Sequence, residues 1–67
     1  MFGSVVVDVI TNDGLVEEFI DVDEVAYVDF EKELIRFKAH DALIPRMLQV
    51  TRSSLLRVKM ALFYKSI

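Results

Sequence analysis

Groups that move protons, hold metals or attack carbonyl carbon are few in this chain. His40 is the sole histidine. Asp41 beside it invites a general-base reading, but side chains adjacent on the backbone need not face each other. Ser53 and Ser54 lack the glycine-flanked turn that exposes a nucleophilic serine. No cysteine is present, which removes a thiol nucleophile, a disulfide framework and any thiolate metal site. Asp21, Asp23 and Glu24 look like a piece of an oxygen-rich cation loop, yet a calcium loop also needs a central Gly and a distant Glu. Only convergence with Asp8, Glu17 and Asp29 across a sheet would give weak divalent binding. Gly3 and Gly14 form no phosphate-cradling pattern. The expectation is a chain that is not an enzyme, with no catalytic residue, no metal site and no cofactor.

A second chemistry is recognition. Arg46, Arg52, Arg57, Lys59 and Lys65 crowd the C-terminal third, with Phe63 and Tyr64 among them. Cations interleaved with aromatic rings suit either a protein partner or nucleic-acid phosphates. These seven residues are the expected interaction surface. A protein partner is favoured, because no helix-turn-helix, zinc-finger or RNA-binding sheet signature accompanies the cations. Nucleic acid is the alternative.

The cations belong to an uneven distribution of charge. The net charge of −3 over 67 residues divides sharply. Residues 1–33 hold ten acidic side chains and one basic, Lys32, a net −9. Residues 34–67 hold seven basic side chains and one acidic, Asp41, a net +6. Either the halves pair within one domain, or opposite faces meet between copies. Apolar residues make up 54% of the chain, which excludes a disordered tail. A domain this short buries only about 60% of the surface its unfolded chain exposes. So apolar a sequence therefore has little polar surface to turn outward, and a homo-oligomer is expected. No stretch reaches the roughly 20 apolar residues of a membrane span, and the start lacks the basic and apolar regions of a secretory leader. The expected setting is cytoplasmic, with no membrane partner.

The elements that must position these side chains follow from periodicity. Val5 to Thr11 alternates as a strand, with Val5, Val7 and Val9 on one face. Asn12-Asp13-Gly14 is a hairpin signal, because Gly accepts positive φ. Leu15 to Asp21 returns. Val25 to Phe30 and Leu34 to Lys38 form a second hairpin around Glu31-Lys32-Glu33, and a helix from Asp23 to Phe37 is the rival. Leu43, Met47 and Val50 have helical spacing, with Pro45 near the start; a short strand over Met47 to Thr51 competes. Ser53 or Ser54 is the expected cap of a last helix. Its apolar face is Leu55, Val58 and Leu62, widened by Leu56 and Phe63. The expected fold is a single small α+β domain over residues 1–67: two N-terminal β-hairpins and a C-terminal helix. The alternative is an all-β small barrel, if the last segment is extended.

Overall fold

The structure is a computed structural model that describes residues 3–39 and 45–67. Strand β1 (Ser4–Thr11) pairs antiparallel with β2 (Gly14–Asp21). The turn between them is Asn12-Asp13, and the positive φ falls on Gly14 at 115°. A type I turn followed by a glycine in this region is a standard way to close a hairpin. Asp21 then caps a 3₁₀ turn, Val22–Glu24, its carboxylate accepting from the Asp23 amide at 2.9 Å.

The second hairpin joins β3 (Val25–Asp29) to β4 (Leu34–Phe37). Its loop is one residue longer than the three-residue turn expected, because Phe30 leaves the strand. Asp29 fixes the loop by accepting from the Lys32 amide at 3.0 Å, and Glu33 closes it with φ of 55°. The β-branched and aromatic side chains of this stretch prevail over the helical rival.

Residues 47–49 settle the next ambiguity in favour of the strand. β5 (Met47–Gln49) pairs antiparallel with β4. The helical spacing there is overridden by pairing to an available edge. The Leu43 part of that expectation lies outside the described residues, as do His40 and Asp41.

The chain ends in α1 (Arg52–Lys65). Its cap is Thr51 rather than Ser53 or Ser54. The Thr51 hydroxyl accepts from the Ser54 amide at 3.3 Å, while Thr51 keeps an extended backbone. A cap must stand just outside the helix, and both serines are already helical.

Among the described residues the fold is thus α+β, with a two-stranded and a three-stranded antiparallel sheet, one helix, and no barrel closure. An antiparallel bridge, Val9 to Val50, links the sheets. Val7, Val9, Ile20, Val25, Ile35, Phe37, Val50, Leu55 and Val58 form one core between the strands and the inner face of α1. Full burial of each aliphatic side chain stabilises the fold by about 1.5–3 kcal/mol before ordering costs. No helix among the described residues is long and apolar enough to cross a membrane.

Candidate interaction surface

Two networks anchor the helix before its outer face can present anything. At its N-terminal turn, the fully buried Ser54 hydroxyl accepts from the Asp8 amide at 2.8 Å and from the Thr51 hydroxyl at 2.9 Å. The Thr51 amide donates to the Asp8 carbonyl at 3.1 Å. One turn later Arg57 donates to the Val6 carbonyl at 3.0 Å and reaches the Asp8 carboxylate at 3.5 Å. Val6 and Asp8 therefore turn their backbone groups away from β2 and towards the helix. An edge that would otherwise stand open is covered.

The second network ties down the expected cations. Arg46 pairs with Glu18 and lies over the Phe37 ring, 4.8 Å from its centroid. Lys65 pairs with Asp23. Arg52 and Lys59 both sit over Phe30, at 5.9 and 5.0 Å. Each of the three ion pairs among the described residues joins an acid of the first half to a base of the second. The charge division is thus met within the chain at these sites. Exposed pairs of this kind contribute about 0–1 kcal/mol each. Their larger consequence is that Arg46, Arg57 and Lys65 spend their charge internally. The hydrogen bond from Lys65, followed by its positive field, holds the Asp23 carboxyl below the ordinary aspartate range.

The remaining two residues of the expected surface stand outward. Phe63 and Tyr64 are exposed and meet edge to face, with centroids 5.8 Å apart. Phe63 does not widen the buried face, and neither does Leu56. The buried arc of α1 is Ser54, Leu55 and Val58, with Leu62 partly covered. Leu56, Met60, Phe63 and Ile67 instead form a second apolar stripe on the opposite side. These four side chains expose between 51% and 85% of their surface. Leu56 and Met60 were not expected at a site; the signal for them was the four-three-four spacing running from Leu56 to Ile67, which matches the seam of paired helices.

The outer face of the first hairpin is also apolar but is interrupted. Cross-strand rows there are Val6 with Phe19, Asp8 with Glu17, and Ile10 with Leu15. Phe19 is 76% exposed. The middle row sets two carboxylates directly opposite each other, an arrangement that costs stability. Among the described residues, no three His, Asp or Glu side chains gather closely enough to hold a metal ion. The acids whose convergence weak divalent binding would require are spread over the strands and the 3₁₀ turn.

No protein-family model, curated protein or solved structure matches the chain. The reading of its function therefore rests on these surfaces alone.

Proposed function

We propose that this protein is a non-enzymatic, cytoplasmic protein-interaction module, a small regulatory or structural subunit that self-associates through the outer face of α1. The supporting observation is the continuous stripe Leu56, Met60, Phe63 and Ile67, flanked by Tyr64. Scattered exposed apolar side chains are ordinary, but a contiguous row of large ones marks a contact surface. Burial of the row supplies affinity. The hairpin's outer face is a poorer candidate for self-contact, because its central carboxylate row would be buried against a second acidic surface.

The cations contribute less than the sequence suggests. Arg46, Arg57 and Lys65 are paired with Glu18, Asp8 and Asp23, so a phosphate at those three would compete with a carboxylate already in place, whereas Arg52 and Lys59 rest on the Phe30 ring and keep their charge. This favours a protein partner over nucleic acid. Sedimentation velocity from low micromolar to several hundred micromolar tests the reading, at low and high salt. The expected result is a concentration-dependent dimer whose population changes little with salt. A monomer at every concentration overturns it, and a salt-sensitive gel shift with DNA or RNA from that monomer would establish the alternative.

A further inference from the structure

Building on that self-association, we infer that two copies pair through α1 in antiparallel, two-fold fashion, with Met60 of each chain packed against Phe63 of the other. The stripe has the spacing of a two-helix seam: Leu56 to Met60 is four residues, Met60 to Phe63 three, and Phe63 to Ile67 four. Ser66 keeps a helical backbone (φ −79°, ψ −9°), and the Ile67 amide reaches the Tyr64 carbonyl at 3.3 Å. Ile67 thus continues the row beyond the last helical residue. An axis between Met60 and Phe63 makes the row self-complementary. Leu56 meets the partner's Ile67 at each end, and two Met60–Phe63 layers fill the middle.

Charge selects the direction. α1 carries Arg52, Arg57, Lys59 and Lys65 and no acid. In a parallel pair, seam-flanking residues meet five positions apart. That sets Arg52 beside the partner's Arg57, two like charges at close range. In the antiparallel pair, Arg57 flanks the partner's Tyr64, and Lys59 flanks the partner's Ser66. No two cations face each other, Arg57 keeps its bonds to the Val6 carbonyl and Asp8, and the helix dipoles oppose.

The area is sufficient. Leu56, Met60, Phe63, Tyr64 and Ile67 each expose more than half of their surface, on the order of 500 Å² per copy for side chains of this size. Two copies cover about 1,000 Å², and the stems of Arg57 and Lys59 bring this to the ~1,200 Å² lower end of specific interfaces. This geometry binds a second copy of the same chain.

The absence of cysteine makes the test direct. Met60→Cys and Phe63→Cys variants are mixed in equal amounts, equilibrated in a glutathione redox buffer, and their disulfides identified by non-reducing mass spectrometry. The antiparallel pair gives the mixed 60–63 disulfide well above its statistical share. Homodisulfides at or above their statistical share, from a chain that sediments as a dimer, overturn the antiparallel geometry and leave self-association standing. Phe63→Glu should weaken dimerisation by roughly 30-fold or more, as loss of a central interface side chain does, with the far-ultraviolet circular dichroism unchanged. A Phe63→Glu chain that dimerises as tightly as the natural one overturns the seam. A natural chain that stays monomeric overturns the self-association on which the geometry rests.

Discussion

The Ser54 hydroxyl has no exposed surface, yet it accepts from the Asp8 amide of β1, from the Thr51 hydroxyl of the cap and, at 3.5 Å, from Arg57. Removing an acceptor from such a place leaves the Asp8 amide buried without a partner, which costs more than an ordinary hydrogen bond contributes. Ser54→Ala should therefore destabilise the fold by about 1–3 kcal/mol, read as a lower midpoint in urea with an unchanged slope. Ser53→Ala, one residue away and exposed, should stay within about 0.5 kcal/mol of the natural chain. Equal effects at the two positions would show that the joint does not depend on the buried hydroxyl. Both serines are visible in the sequence as candidate caps. Which one is buried, and that Thr51 is the true cap, depends on where β1 lies relative to the helix, and local residue types do not carry that information.

At the scale of elements, the two hairpins were legible because their signals are local. Alternation in β1 and the Asn12-Asp13-Gly14 turn need no distant partner to be understood. Gly14 illustrates the mechanism. A Cβ added there would meet nothing within 4 Å, so a side chain is opposed by backbone conformation and not by crowding. Gly14→Ala should cost about 1–2 kcal/mol, the penalty of holding a side-chain-bearing residue at positive φ. A thermal melt would detect this, and an unchanged midpoint would mean that the turn relaxes to another type. The segment after β4 was less legible. Met47 and Val50 fit a helix by spacing, and pairing of Met47 to the edge of β4 and of Val50 to Val9 makes them extended. The helix and its inner line of Leu55, Val58 and Leu62 were foreseen, but the width of that face was not. Leu, Met and Phe occur all around it, so the sequence marks no boundary between the stripe against the core and the stripe outside. The strands decide that division. The same cause hid part of the candidate surface: the cations drew attention, whereas Leu56 read as further core and Met60 was given no role.

At the scale of the whole molecule, the outward surfaces are managed differently. The far edge of β2 has no strand neighbour among the described residues, and Leu15, Val16 and Phe19 stand exposed along it. Such an edge invites pairing between copies unless charge interrupts it. Glu17 and Glu18 provide the interruption in the middle of the strand. Glu17→Val should leave the fold intact and speed aggregation, seen as rising light scattering and thioflavin fluorescence on concentration. A variant as soluble as the natural chain would assign the protection elsewhere. The acidic strand thus discourages one mode of association, while the outer stripe of α1 is left free for another.

The bonds that fasten β1 to the start of α1 have a further consequence. The Asp8 amide and Ser54 are 46 positions apart, whereas each hairpin is closed by residues near it in the chain. Lifting the helix away breaks the Ser54, Thr51 and Arg57 links together and leaves both hairpins paired. Undocking and global unfolding are then distinct openings with different free energies. The Asp8 amide donates to Ser54 of the helix, so the rate at which its hydrogen is replaced by deuterium is a clock for the helix's departure.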